Sequence, residues 1–85
     1  MLEVHKDAID SYITDRVREK RLNLKLSQEK LSERLGLSNK FVAHVENPKR
    51  RSKYNIYHII KLAEIFECSP CDLIPTTSLS DYLIP

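Results

Sequence analysis

The chain contains a single glycine, Gly36, and that position constrains the fold more than any other. With one glycine, four prolines and few alternating apolar runs, the sequence reads as helices joined by short connections. Gly36 stands where a helix opened by Ser27 leaves through the left-handed region, because Ser27 is a good N-cap and Leu31 and Leu35 follow at one-turn spacing. Ser38 is placed to cap the next helix. Asn47-Pro48 ends it, since proline cannot continue a helix and restricts the residue before it.

Three further segments complete the expected architecture. From about residue 7 to 24, Ile9, Ile13, Val17 and Leu24 recur at helical spacing and put one apolar stripe on a first helix. A fourth helix, about 54 to 66, presents Ile56, Ile59, Ile60, Ala63 and Phe66 on one side. Ser69-Pro70-Cys71-Asp72 combines an N-cap, a proline at the first helical position and an acid at the third, which starts a short fifth helix holding Leu73 and Ile74. The expectation is an all-α, compact five-helix domain over residues 1–75. The tail 76–85 ends Tyr82-Leu83-Ile84-Pro85, apolar residues that either fold back on the core or meet a partner.

Size and charge exclude several classes. A chain of 85 residues buries only about 60 to 65% of its unfolded surface, which makes a large catalytic cleft improbable and favours oligomerisation. Apolar stretches fall far short of the roughly 20 residues of a bilayer span, and the first residues lack the apolar core of a secretory signal, so a soluble cytoplasmic protein with no membrane contact is expected. Net charge is only +2, but it is unevenly distributed: Lys40, Lys49, Arg50, Arg51 and Lys53 stand against the single acid Glu46 between residues 38 and 53. Such a run is either a solvated face or a phosphate-binding patch.

The order of residues from Gln28 to Asn47 favours the second. Two helices joined by a short turn with glycine are the skeleton of a helix-turn-helix, whose second member enters the major groove. Leu31, Leu35, Leu37, Val42 and Val45 supply apolar anchors, and the small Ser32 sits where the two helices approach. At about 100° per residue, Asn39, Lys40, Ala43, His44 and Asn47 share one arc of about 140°, opposite Phe41, Val42 and Val45. Asparagine can bond adenine in bidentate fashion, lysine or a donating histidine can reach guanine, and the alanine methyl can touch that of thymine. Asn39, Lys40, Ala43 and His44 are therefore the candidate base readers, on a recognition helix expected from 38 to 46.

Arg21-Leu22-Asn23-Leu24-Lys25-Leu26-Ser27-Gln28, Leu31, Gly36-Leu37-Ser38 and Val45-Glu46-Asn47 together resemble the lambda-repressor-like helix-turn-helix family of Cro and phage repressors. The resemblance runs from about Arg16 to Ile74. It implies a five-helix fold and operator binding, usually as a dimer, with Gln28 at the start of the second helix against the phosphate backbone. It also implies an ion pair between Arg21 and Glu46, which the helical wheel supports by putting Glu46 on the core side; Lys20 lies near the same arc and competes. Ser38, Asn47, Lys49, Arg50, Arg51 and Lys53 are the further candidate phosphate contacts, leading into a helix N-terminus that favours an anion. The chain departs from the family at Asn47-Pro48, where a glycine commonly ends the recognition helix.

Other features carry less. Cys68-Ser69-Pro70-Cys71 has the spacing of redox and zinc sites, but only two thiols are present, with His5, His44 and His58 scattered, so neither metal nor cofactor is expected and the cysteines read as packing. Phe41 reads as core, with its edge able to reach a sugar or a thymine methyl. No nucleophile, base or glycine-rich phosphate loop is arranged for catalysis, so no enzyme is expected. The functional expectation is a transcriptional regulator, a repressor, binding double-stranded DNA as a homodimer. The alternatives are an antitoxin whose tail masks a toxin partner and a helical protein-interaction module without DNA binding.

Overall fold

The computed structural model describes residues 2–76, with side chains from residue 8 onward. Four α-helices follow one another: α1 (Leu2–Asn23), α2 (Gln28–Leu35), α3 (Phe41–Glu46) and α4 (Ile56–Phe66), with a one-turn 3-10 helix at Pro70–Asp72. No strand occurs among the described residues. The all-α expectation therefore holds, with the fifth helix reduced to a single 3-10 turn. The apolar tail at 77–85 lies outside the described residues.

The core is drawn from every element. Ile13 and Val17 of α1, Leu31 and Leu35 of α2, Val42 and Val45 of α3, Ile59, Leu62 and Ala63 of α4, and Leu73 beyond the 3-10 turn are all buried. Each fully buried leucine or valine contributes roughly 1.5–3 kcal/mol of transfer free energy. On α1 the stripe continues to Arg21 and not to Leu24, which is 50% exposed. The helix stops at Asn23, Lys25 turns through the left-handed region at φ 56, and Leu26 packs in its place.

Local chemistry sets the other boundaries. Ser27 Oγ accepts from the Lys30 amide at 2.9 Å, and Gly36 takes φ 75 with its N–H turned back on α2, so the second helix ends as expected. The third helix begins later than Ser38. Asn39 and Lys40 form a turn closed by Phe41 N–H on the Ser38 carbonyl at 3.0 Å, and the regular helix is 41–46, not 38–46. Its Lys40 N-cap provides no side-chain bond. Ser32 of α2 supplies the missing acceptor: its Oγ takes the Val42 amide at 3.0 Å and donates to the Gln28 carbonyl at 2.9 Å. The small residue thus joins the two helices through its hydroxyl as well as by its size.

α4 starts at Ile56 because Asn55 and His58 form a reciprocal cap: Asn55 Oδ1 accepts from His58 N at 2.9 Å and His58 Nδ1 accepts from Asn55 N at 3.0 Å. Tyr54, expected within the helix, precedes it and is buried. The buried arc of α4 is centred between Ile59 and Leu62. Ile60, about 100° on from Ile59, and Ile56 in the first turn both face outward, contrary to the expected face. Ser69 and Asp72 cap the 3-10 turn reciprocally, with Pro70 at its start.

Candidate nucleic-acid interface

The position of α3 depends on one carboxylate. Glu46, its last residue, is 4% exposed at the side chain. Arg21 reaches it with both arms of the guanidinium, Nε to Oε2 at 2.9 Å and Nη2 to Oε1 at 3.0 Å, and its Nη1 donates to the Leu26 carbonyl at 2.8 Å. Gln28 Nε2 donates to Oε1 at 2.9 Å. Arg18 adds Nε to Oε1 at 3.4 Å and Nη2 to the Glu46 carbonyl at 3.3 Å. Lys20 is not among these partners. A buried charge is tolerated when it is paired and its remaining lone pairs are satisfied, and this cluster meets both conditions.

The cluster joins α1, α2 and α3 at one point, so α3 presents a defined face. Val42 and Val45 turn inward. Phe41 is half-buried with its ring 4.8 Å from that of His58 and 5.9 Å from that of Tyr54, which puts it with the core side of the helix. Asn39, Lys40 and Asn47 are exposed, and Ala43 and His44 half-buried. Asn39 Nδ2 bonds Glu29 Oε2 at 3.2 Å. Burial first, and then the Glu46 carboxylate, push the Tyr54 phenol above its ordinary range, so it stays neutral.

The loop after α3 is ordered by its own backbone. Asn47 Oδ1 accepts from Lys49 N at 2.9 Å, and Arg50 N–H bonds the Asn47 carbonyl at 3.0 Å, an Asx turn that carries the chain past Pro48. Lys49, Arg50 and Arg51 are exposed, and no ion pair engages them among the described residues. Lys53 differs, since its Nζ lies 3.6 Å from Asp10 Oδ2 on α1. An open groove runs between α1 and this loop, with Asp10, Thr14 and Arg18 on one wall and Lys49 and Arg51 on the other. The α4 N-terminus holds its own cap, which occupies the His58 amide. Ser38 Oγ accepts from Lys40 N at 3.3 Å.

Arg18, Glu29 and Asp10 were not singled out by sequence reasoning. Arg18 lies one turn before Arg21 on the same helix, a spacing that put both within reach of Glu46; Glu29 and Asp10 gave no comparable signal. The helix-turn-helix family model matches residues 17–73, more than half of the chain. The chain belongs to the lambda-repressor-like helix-turn-helix family. This helix-turn-helix protein is also similar to a solved structure, the restriction-modification controller protein C.AhdI from Aeromonas hydrophila. The two share 32% sequence identity and superpose with a TM-score of 0.63, over 81% of this chain and 98% of the other. No curated protein matches the chain. Membership makes it a DNA-binding transcriptional regulator. No described helix is long and apolar enough to cross a membrane.

Proposed function

We propose that this regulator is a sequence-specific repressor that binds operator DNA in the cytoplasm as a homodimer, with the segment from Asn39 to Asn47 in the major groove. The observation that carries the reading is the clamp on Glu46. It anchors a helix of only six residues to α1 and α2, leaving its polar face outward. Asn39 pairs with adenine, Lys40 and His44 donate to guanine, and the Ala43 methyl meets a thymine methyl. Gln28, Ser38, Asn47, Lys49, Arg50, Arg51 and Lys53 hold the phosphates. For Gln28 this uses the second amide N–H, the first being given to Glu46.

Dimerisation is supported by the outward face of α4. Ile56 is 66% exposed, Tyr57 82% and Ile60 50%, an apolar patch on the described surface. A homodimer on a dyad-symmetric site holds its two recognition helices about 34 Å apart, the spacing of successive major grooves, and a second copy against this face is the arrangement proposed for it. The likeness to a restriction-modification controller favours one setting, control of restriction and modification genes. Nothing comparable supports the antitoxin alternative.

The test is selection from a randomised duplex library at two salt concentrations, with an Asn39→Ala, His44→Ala variant in parallel. Enrichment of a dyad-symmetric site, lost in the variant, is the expected result. Weak, unselective retention abolished by moderate salt leaves only a non-specific basic loop. Sedimentation of a Tyr57→Asp, Ile60→Asp variant tests the dimer: it runs as a monomer where the parent runs as a dimer.

A further inference from the structure

Asn39 does not stand alone ahead of α3. Its Nδ2 lies 3.2 Å from Oε2 of Glu29, and the two residues belong to different elements, Glu29 to the first turn of α2 and Asn39 to the turn that enters α3. An ionised carboxylate only accepts hydrogen bonds, so the nitrogen end of the amide must face it; an asparagine orientation that is otherwise ambiguous is decided by its partner. We infer that Glu29 is a specificity-determining positioning residue, which holds the Asn39 amide so that Oδ1 and the second N–H form an outward donor and acceptor edge suited to adenine. This rests on the base-reading role proposed for Asn39.

A primary amide has two N–H bonds. On this inference Glu29 takes the one pointing away from Oδ1, which leaves the remaining N–H together with Oδ1 as the edge that meets adenine N7 and N6. Guanine offers an acceptor, O6, where adenine offers the N6 donor. An amide held with Oδ1 outward therefore opposes guanine, whereas an untethered amide can turn over and donate to it. Fixing the orientation before binding also removes part of the ordering cost that an exposed side chain otherwise bears on the DNA.

The surroundings of Glu29 agree with this role. Lys30, its neighbour, pairs with Glu33 at 3.4 Å, and no salt bridge engages Glu29 among the described residues. Its place in the first turn of α2 suits the helix dipole, and beside Gln28, itself assigned to the phosphate backbone, it does not attract DNA, so among the described residues its bond to Asn39 is its one contact with the proposed reading face.

The experiment compares base-preference profiles for the parent protein, Glu29→Gln, Glu29→Ala, Asn39→Ala and the Glu29→Ala, Asn39→Ala double variant. Glu29 is exposed, and a helical circular dichroism spectrum checks each fold. Glu29→Ala lowers the adenine-over-guanine preference at one position of each half-site by roughly five- to tenfold. Glu29→Gln falls between the parent and Glu29→Ala, because its amide can accept from Asn39 but can also turn over and donate to it. The double variant is no less selective there than Asn39→Ala alone. The inference is overturned if Glu29→Ala keeps the parent profile and merely tightens binding to every sequence, as a repelling surface carboxylate does, while Asn39→Ala still loses selectivity. If Asn39→Ala itself keeps the profile, the base-reading assignment fails and this inference with it.

Discussion

Arg21 holds Glu46 through two parallel bonds of 2.9 and 3.0 Å, so the last residue of the helix proposed to read DNA is fastened to α1, a helix outside the helix-turn-helix itself. Removing one partner strands the other charge in a buried site. Glu46→Ala is expected to cost on the order of 3–5 kcal/mol in denaturant unfolding. A loss under about 1 kcal/mol contradicts the buried pair. Arg21→Lys is also expected to destabilise, because an ammonium cannot reproduce the two-pronged geometry.

Ser32 caps a helix that does not cap itself. Ser32→Ala leaves the buried Val42 N–H without its 3.0 Å acceptor, a cost of about 1–3 kcal/mol in the same assay. A neutral substitution means that another acceptor replaces the hydroxyl.

Three residues turn through the left-handed region, and two of them predict opposite signs. Gly36 sits at φ 75 with nothing within 4 Å of an added Cβ, so Gly36→Ala suffers only the backbone penalty of about 1–2 kcal/mol, and no clash. Glu67 takes φ 54 at the end of α4, and Glu67→Gly is expected to raise the melting temperature by relieving a similar penalty. Equal melting temperatures for parent and both variants contradict the argument.

His58 accepts a bond through Nδ1 in the α4 cap, and burial lowers its pKa from 6.5. The unfolded chain therefore takes up the proton first as pH falls. The contribution to stability is complete above about pH 6.5 and is lost as pH falls through the lowered folded value. Chemical denaturation across pH 5 to about 7 should show this slope, and Glu or Gln at the same cap position can accept without it. His58→Gln removes the slope and keeps the helix; a slope that persists assigns it to another group.

Arg51 belongs to the exposed loop and Lys53 is shared with Asp10. Replacing either with alanine is expected to weaken binding to all sequences alike and to flatten the dependence of log affinity on log salt by about 0.9 for each phosphate no longer neutralised. Titrations on specific and scrambled duplexes check this, and a change confined to one base position contradicts it.

Much of this was legible along the chain because it depends on neighbours a few residues apart. The Ser27 and Ser69 caps, the left-handed Gly36 and the stop at Asn47-Pro48 follow from side chains and backbone within one turn. The inward set Leu31, Leu35, Val42 and Val45 follows from helical period alone. Where the period misled, the cause was the shape of the core: Leu24 is lost to a reversal at Lys25, and Ile56 and Ile60 turn out because Leu62 takes the centre of the buried arc. Lys25 and Glu67 adopt the conformation that sequence reasoning reserves for glycine, held there by the helix ends they terminate.

Local pattern was thus enough for the number of helical segments, their polarity and the presence of a helix-turn-helix, since hydrophobic period and capping act over a few residues. The Arg21–Glu46 pair came from the family resemblance; the addition of Arg18 and Gln28 to it, the loan of Ser32 to cap α3, the Asp10–Lys53 pair and the Glu29–Asn39 bond span 10 to 43 residues of chain. Such pairings depend on how helices pack against one another, and no residue's own neighbours specify them.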